Sequence, residues 1–303
     1  MSEGKIKNKQ GLTEEQFLSS YDASEFERPS VTVDMLIFTV THKEKENYRR
    51  LPVKALRLLM IKRGDHPYLG QWALPGGFVG MNESLDEAAL RELKEETNIS
   101  DIYMEQLYTW GDIGRDPRTR VISSSYMALV DSSGLDIKAS DDADEAKWFT
   151  VSCKLSQEQK TDTDKGYVLQ QLFRLKLSSD EESLSATVKV VKTVEGKIAR
   201  IEREIIESEG IAFDHAKIIV YGIERMQSKI AYTDIAFNLM PELFTLTEIQ
   251  QVYEIILDKV LLKGNFRRKI ADLVVETDEY TENAGHRPSK LFKFNPNWTK
   301  IAD

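Results

Sequence analysis

Residues 83 to 96 concentrate carboxylates at a spacing that is typical of a cation-binding helix. Six acidic residues face only two basic ones in this segment. In an α-helix, positions three and four apart are neighbours, so Glu92 stands next to both Glu95 and Glu96. Like charges at this spacing destabilise a helix by roughly 0.2–0.5 kcal/mol per pair. A hard divalent cation with oxygen ligands would turn that repulsion into binding.

The same segment carries the signals that would position these carboxylates. Ser84 and Glu87 form an S-x-x-E capping box, which predicts a helix over residues 84–97. Leu85 and Leu93 lie on its apolar face. Arg91 precedes Glu95 by four residues and is predicted to orient it by a charge-assisted hydrogen bond. Ahead of the helix, the pair Gly76-Gly77 allows a sharp turn and a close approach to a ligand.

This pattern resembles the signature of the Nudix hydrolases, G-x5-E-x7-R-E-U-x-E-E-x-G-U, where U is a bulky aliphatic residue. One position departs from it, because Asn98 stands where the family has its second glycine. Asparagine tolerates the left-handed turn that ends a helix, so we expect the shape to be kept. The charged positions of the signature are all present, together with its first glycine: Gly77, Glu83, Arg91, Glu92, Glu95 and Glu96.

The resemblance implies cleavage of a pyrophosphate that links a nucleoside diphosphate to another group, with Mg²⁺ or Mn²⁺. It implies Glu92, Glu95 and Glu96 as metal ligands and catalytic residues, with Arg91 orienting them and Glu83 as a fourth, supporting metal ligand or a group that holds the ligands in place. The general base is left open between one of these glutamates and a carboxylate on a later loop. The acidic run at 140–145 is a candidate for that loop, although a solvated turn is the favoured interpretation.

A second motif, at residues 110–121, bears on the ligand. It contains three arginines within six residues, and such a loop beside a pyrophosphate site suits bidentate phosphate recognition. It resembles the G-R-D-P-R-x-R loop of Nudix domains that handle or sense ADP-ribose, which makes Arg115, Asp116 and Arg118 candidate ligand contacts. The alternative is an ordinary surface loop. Tyr108 and Trp110 could stack on an adenine, but core packing is the favoured interpretation.

Composition bounds the remaining possibilities. The 303 residues suffice for about two domains, and the net charge of −9 argues against non-specific nucleic-acid binding over the whole surface. Cys153 is the one cysteine, so no intrachain disulfide can form. No apolar run reaches ~18 residues, and no signal-peptide core follows Met1. We therefore expect a cytoplasmic protein without a membrane partner.

The last hundred residues predict a winged helix, which is a helix-turn-helix followed by a β-hairpin. Thr245 and Glu248 form a capping box, and a second helix with Phe266 and Ile270 on its buried face follows. Between 259 and 300, nine basic residues outnumber five acidic ones, against the charge of the whole chain. DNA contact is one interpretation, and packing or dimerisation is the other. The candidate DNA contacts are Arg267, Arg268, Lys269, Arg287 and Lys290.

The predicted fold class is α/β. We expect an N-terminal extension (1–30), a Nudix α/β/α sandwich with a mixed sheet (31–150), a β-hairpin insertion (151–210) and a winged-helix-like domain (211–303). In the insertion, Tyr167–Ser178 and Thr187–Ile206 are predicted hairpin-like stretches. Segments such as Asn265–Lys269 resemble the C-terminal domain of Nudix-related transcriptional regulators of NAD and sugar metabolism. The insertion departs from that family's pattern, and a structural platform or dimer contact is its favoured role.

Two functions follow from the sequence. The first is a metal-dependent hydrolase of ADP-ribose or a similar nucleoside diphosphate derivative, which the intact glutamates favour. The alternative is a regulator that binds double-stranded DNA and senses ADP-ribose with little turnover, which the winged helix favours. One protein could do both. A homodimer is expected, because winged-helix readers usually bind paired half-sites.

Overall fold

The computed structural model describes residues 6–42, 54–98, 102–132, 146–281 and 288–298. A ten-stranded mixed sheet runs through the molecule, and its main path has the order β10-β9-β8-β7-β2-β1-β6-β5. The strands are β1 Ser30–His42, β2 Lys54–Lys62, β3 Trp72–Ala73, β4 Gly76–Phe78, β5 Tyr103–Trp110, β6 Val121–Val130, β7 Ala146–Thr163, β8 Gly166–Ser178, β9 Ser183–Glu195 and β10 Ile198–Glu209.

The sheet is mixed because β1 pairs with β6 in parallel, whereas its other neighbours are antiparallel. Its central strands β1, β2 and β6 are largely buried on both faces and mainly apolar, with Asp34 and three serines (Ser123, Ser124 and Ser125) as buried polar exceptions near the arginine loop. Helix α2 (Leu85–Thr97) covers one face and helix α3 (His215–Lys229) covers the other. This is the predicted α/β/α sandwich, and the predicted fold class is confirmed.

Helix α3 lies very close to the sheet. A Cβ at Gly222, in the middle of α3, would fall 2.4 Å from a methyl group of Leu36 on β1. The same helix packs on β8, β9 and β10, so it joins the central sheet to its extension. A side chain at position 222 would push α3 away from the sheet.

The region 151–210 extends the sheet. Strand β7 crosses residue 150 without a break, pairing first with β2 and then with β8. The prediction of a hairpin within Tyr167–Ser178 is wrong, because these residues lie in one strand, β8, which pairs with both β7 and β9. The reversal occurs earlier, in the turn between Thr163 and Gly166. The predicted hairpin within Thr187–Ile206 is confirmed, with its turn at Glu195-Gly196, where Gly196 has a φ of 59°. The domain boundaries stay predictions.

The C-terminal module has the predicted order of elements. Helix α4 (Leu246–Leu257) starts at the predicted Thr245 capping box, and α5 (Lys263–Ile270) buries Phe266 and Ile270. The strands β11 (Val274–Tyr280) and β12 (Lys290–Phe294) form the antiparallel wing. The residue before a proline is disfavoured in a helix, so the sequence predicts a helix that ends before Pro241; the structure has only a short 3-10 turn there, at Ile235–Leu239.

The N-terminal extension contains helix α1 (Glu14–Ser20), which starts at the Thr13 capping box and buries no side chain. It precedes a short 3-10 turn at Ala23–Glu25. None of the helices within the described ranges is both long and apolar enough to span a membrane.

Candidate functional site

Helix α2 presents the predicted carboxylates on a well-defined scaffold. The Ser84 side chain accepts from the Glu87 backbone N–H, and the Glu87 carboxylate accepts from the Ser84 backbone N–H at 2.7 Å. Asn98 adopts the predicted left-handed conformation at the C-terminus, with φ 54°. Ala88, Ala89 and Leu93 face the core, so the remaining stripe of the helix carries the acids.

Arg91 binds three of these carboxylates. It donates two hydrogen bonds to Glu83, at 3.1 and 3.0 Å, and one to Glu92 at 2.7 Å. Its predicted bond to Glu95 is also present, at 3.3 Å. The bonds from Arg91 and from the backbone N–H of Gly80 lower the pKa of Glu83, and the bonds to Glu83 and Glu92 raise the pKa of Arg91. The arginine therefore holds the acidic residues together.

Two glutamates keep a raised pKa despite this arginine. Burial raises the pKa of Glu92, although its bond to Arg91 acts in the opposite direction. Burial also raises the pKa of Glu96, and the carboxylates of Glu92 and Glu95 add to the shift. Both groups would gain from a nearby cation, which favours the charged form of a carboxylate.

The fit of a metal ion rests on the donors and on Gly77. A Cβ at Gly77 would lie 2.3 Å from a carboxylate oxygen of Glu92, so only glycine lets this carboxylate reach the loop. Hard carboxylate oxygens are suitable Mg²⁺ ligands. Across the part of the chain that the structure describes, no three acidic, histidine or cysteine side chains form a ready-made metal group. The assignment of Glu83, Glu92, Glu95 and Glu96 as metal ligands therefore stays a prediction. Their carboxylate oxygens are suitable donors for the expected ion.

A cavity of about 180 Å³ opens beside this loop. Gly76, Gly77 and Phe78 form one wall, and Arg63, Arg118 and Phe213 contribute to the others. Arg115 and Asp116 also border it, so the cavity brings the arginine loop next to the glycines of the carboxylate motif. This volume has room for a phosphate and part of a sugar. It is too small for a whole dinucleotide-like ligand.

Arg115 is engaged inside the protein. Its side chain is 6% exposed and donates to Asp34 on β1 at 3.2 Å and to Asp214 at 3.1 and 2.8 Å. Burial alone would lower the pKa of Arg115, but the two carboxylates outweigh it and raise the value. Asp214 is the residue before α3, and its side chain makes no capping bond because it binds Arg115 instead. The bridge thus ties β1, the arginine loop and α3 together.

His215 completes this buried cluster. Its Nδ1 accepts from the Leu74 backbone N–H at 2.9 Å, and its Nε2 lies 3.6 Å from Asp34. Burial lowers its pKa, so it is neutral at pH 7. Lys217, one turn into α3, donates to Asp112 at 2.6 Å. The start of α3 is therefore bound to the strand before Gly76 and to the arginine loop.

The other candidates of the arginine loop are also paired. Arg118 donates two side-chain bonds to Asp116, at 3.1 and 2.8 Å, and Arg120 donates to the carbonyl groups of Gly111 and Asp112. A ligand phosphate would therefore have to share or displace these partners. The acidic run at 140–145 lies outside the described residues.

The prediction that Tyr108 and Trp110 pack in the core is correct for only one of them. Trp110 is 4% exposed, whereas Tyr108 is half exposed and packs against Trp110 and Tyr221 of α3. At the far end of α3, Lys229 is ion-paired with Glu105 on β5. Polar contacts thus bind both ends of α3 to the Nudix sheet.

The basic face of α5 is exposed as predicted. Arg267 and Arg268 point outward, and Arg268 donates to Asn265 at 2.6 Å. Lys269 differs, because its ammonium group lies over the ring of Tyr253 on α4, 5.4 Å from the ring centroid. Lys290 on the wing is ion-paired with Glu276. Arg287 lies outside the described residues.

Sequence reasoning missed three residues of this region. Asp34 and Asp214 bind Arg115 across 81 and 99 residues of chain, which no local spacing reveals. Arg63 lines the cavity, and it had a usable signal. It stands directly after the apolar strand β2 and before Gly64-Asp65, at the start of a loop, where binding residues are enriched.

Comparison with known proteins finds a match both for the part of the chain that contains the carboxylate helix and for the C-terminal module. Residues 50–172 match the NUDIX domain, and residues 236–294 match the NrtR DNA-binding winged helix domain. The ADPR responsive transcriptional repressor NtrR of Acinetobacter baylyi is 30% identical over 285 residues, covering 93% of this chain and 88% of that protein.

Two further relatives match one or both domains. The ADP-ribose pyrophosphatase of Methanocaldococcus jannaschii is 39% identical over 124 residues, covering 41% of this chain and 63% of that protein. The crystal structure of Shewanella oneidensis NrtR complexed with a 27mer DNA superposes with a TM-score of 0.59 and 27% identity, covering 88% of this chain and 94% of that one. The chain therefore belongs to the family of Nudix-related regulators that join a Nudix domain to an NrtR winged-helix domain.

Proposed function

We propose that this protein is a DNA-binding transcriptional regulator whose Nudix domain binds ADP-ribose or a related nucleoside diphosphate derivative. The observation that carries the proposal is the joining of two sites by one helix. Helix α3 begins at the cavity beside Gly77 and contacts α4 of the winged helix, where Gln227 donates to the Ile256 carbonyl at 2.9 Å. The Acinetobacter relative, named as ADPR responsive, supports the choice of ligand.

The DNA contact is assigned to α5 and the wing. Arg267 and Arg268 are exposed guanidinium groups on a short helix that the turn after α4 presents to solvent. An exposed basic helix of this kind fits the major groove, and a neighbouring wing can reach phosphates. We assign Lys269 a smaller part, because its ammonium group is held over Tyr253. A protein that acts on chromosomal DNA would work in the cytoplasm, as a homodimer on paired half-sites.

The salt dependence of DNA binding tests this assignment. Removing the side chain that binds one phosphate should reduce the slope of log K against log salt by about 0.9. We therefore expect Arg267→Ala and Arg268→Ala each to flatten the slope by that amount. Arg174→Ala, which removes an exposed guanidinium from β8, is the matched control and should leave it unchanged. Slopes that stay equal in all three variants would assign α5 a packing role.

Hydrolysis is the second candidate function, and the complete set of charged Nudix residues favours it. Glu92, Glu95 and Glu96 would hold Mg²⁺ or Mn²⁺, with Glu83 supporting. A bound divalent ion supplies charge screening of the diphosphate and activation of a water. Arg91 keeps the carboxylates on one side of α2, and Gly77 leaves room for the Glu92 carboxylate. A relative that matches 41% of this chain, the Methanocaldococcus protein, is named as an ADP-ribose pyrophosphatase, which supports this candidate.

Release of AMP from ADP-ribose separates an enzyme from a sensor. If the site is hydrolytic, Mg²⁺-dependent release should be abolished in Glu95→Gln and in Glu96→Gln, while both variants keep their fold. Turnover at the wild-type rate in both variants would contradict the metal assignment. If wild-type protein binds ADP-ribose without cleaving it, the regulator acts as a sensor alone.

A further inference from the structure

Arg63 is a cavity-lining guanidinium group without an acidic partner among the described residues. Its Nε donates to the Pro67 carbonyl at 2.7 Å, which uses one of its five N–H groups. The other cavity arginines differ, since Arg115 is bound to two aspartates and Arg118 to one. Arg63 therefore has donors to offer to a ligand, while its two neighbours have already paired.

The surroundings of Arg63 favour an anion. Burial and the positive charge of Arg118 lower the pKa of Arg63, and the carboxylates of Asp116 and Asp65 offset only part of this shift. Two guanidinium groups that approach each other at one cavity repel, and an anionic group between them would relieve this repulsion. Guanidinium groups bind phosphate oxygens in a bidentate manner. A phosphate of the ligand satisfies these requirements.

Phe213 holds Arg63 in place and belongs to the segment that starts α3. The guanidinium carbon of Arg63 lies 4.8 Å from the centre of the Phe213 ring, and Tyr68 packs against the same ring at 4.7 Å. Phe213 adopts φ 53°, a conformation that costs a bulky side chain energy and that concentrates at functional sites. The next residue, Asp214, binds Arg115.

We propose that Arg63 and Phe213 form the wall of the cavity that binds a phosphate of the ligand, and that Phe213 passes the effect of binding to helix α3. Neither residue belongs to the Nudix signature. Arg63 donates to the phosphate through the N–H groups that its bond to Pro67 leaves available, and Phe213 fixes the guanidinium plane. Because Phe213 leads directly into α3, its displacement moves the helix that touches the winged domain. This inference rests on the proposed function.

The test compares binding of two probes, ADP-ribose and inorganic pyrophosphate, measured in EDTA so that ADP-ribose stays intact. Removal of a charge-assisted hydrogen bond predicts that Arg63→Gln weakens binding of both probes by about tenfold or more. Arg63→Lys, which keeps the charge, should recover part of this affinity. Arg174→Gln is the matched control and should bind as wild type. Thermal melting of each variant establishes that it is folded.

Phe213→Leu tests the second part. We expect it to reduce the change in DNA affinity caused by saturating ADP-ribose, while DNA affinity without ligand stays as in wild type. A full ligand effect on DNA affinity in this variant would overturn the role of Phe213.

The outcomes separate this inference from the proposed function. Wild-type protein that binds both probes only as tightly as Arg63→Gln does would overturn the assignment of Arg63. If wild type binds pyrophosphate and not ADP-ribose, and Arg63→Gln no longer binds pyrophosphate, Arg63 is supported while the proposed ligand fails. Binding of neither probe by wild type would overturn both.

Discussion

Two arginine–carboxylate clusters lie within the Nudix half of this protein, and they differ in almost every physical respect. Arg91 gathers carboxylates from within eight residues of itself, and its side chain is 37% exposed. Arg115 is 6% exposed and binds carboxylates that are 81 and 99 residues away. The first cluster keeps an excess of negative charge at the surface, where a cation or water can reach it. The second is buried and holds three segments together.

The difference distinguishes a ligand-binding cluster from a structural one. An exposed cluster contributes little stability because water and salt screen its charges. It is therefore free to exchange partners with a ligand. A buried cluster is costly to break, since a charge that is deprived of its partner stays in the interior. The Arg91 cluster thus suits binding, and the Arg115 cluster suits attachment of α3 to the sheet.

The largest expected effect comes from removing the two arginines in turn. Arg115→Leu removes the cation that two buried carboxylates share, leaving Lys217 at 3.9 Å from Asp214, and should lower the free energy of unfolding by about 3–5 kcal/mol. Arg91→Leu should lower it by less, because Arg91 is itself 37% exposed and its partner Glu95 can be solvated, so that Glu92 is the one buried carboxylate among its partners that loses its cation. Urea denaturation of both variants measures the contrast. Equal decreases in the free energy of unfolding of the two variants would contradict the distinction between a ligand-binding cluster and a structural one.

The next effect is stabilisation by Mg²⁺, which should depend on the carboxylates of α2 and not on the buried Arg115 cluster. At a hundredfold excess over Kd, a ligand that binds only the folded state stabilises it by about 2.7 kcal/mol. We expect wild type to show such a gain in thermal melting and Glu96→Gln to show none. Asp214→Asn, which alters the buried cluster, should keep the gain relative to its own metal-free form. Stabilisation of Glu96→Gln by Mg²⁺ would contradict the ligand set.

A smaller effect is expected from pH, through His215 in the buried cluster. Burial lowers its pKa, so the folded state keeps His215 neutral while the unfolded state takes up a proton near the ordinary value of about 6.5. Its contribution to stability is thus complete above about pH 6.5 and is lost as the pH falls below that value. Asp34 and Asp214 oppose the shift, and Arg115 and Arg63 support it.

Urea unfolding at about pH 7.5 and about pH 5.5, on either side of this ordinary value, measures the effect in wild type and in His215→Gln. Wild type should be destabilised more by acidification than the variant, whose amide can still accept the Leu74 N–H. The same destabilisation in both proteins would show that His215 does not titrate as its burial predicts.

The smallest effect concerns the repulsion within α2. Glu96→Gln removes a like charge four residues from Glu92, which should stabilise the protein in EDTA by roughly 0.2–0.5 kcal/mol at about pH 7. Lys94→Gln, which changes an exposed residue on the same helix, is the control. A decrease in the stability of Glu96→Gln would mean that the Glu96 carboxylate has a favourable partner in the metal-free protein.

The contrast between local and distant contacts also explains which structural features the sequence could predict. The capping boxes, the Nudix helix and the order of the winged helix depend on contacts within a few residues, and spacing reveals them. The predicted hairpin within Tyr167–Ser178 is wrong because alternation predicts strands but not where a long strand turns. The role of Arg115 is not visible in the sequence, because the partners that neutralise it come from β1 and from the start of α3.

The direct test of the central proposal is the affinity of the full chain for DNA with and without ADP-ribose. The probe is a duplex that the full chain has enriched from random-sequence DNA, and binding is measured by fluorescence anisotropy in EDTA. We predict that saturating ADP-ribose changes the Kd for this duplex by at least about fivefold, which is the lower range of coupling between two sites. A Kd that stays the same, under conditions where ADP-ribose binding is demonstrated, would contradict the proposed coupling between the Nudix domain and the winged helix.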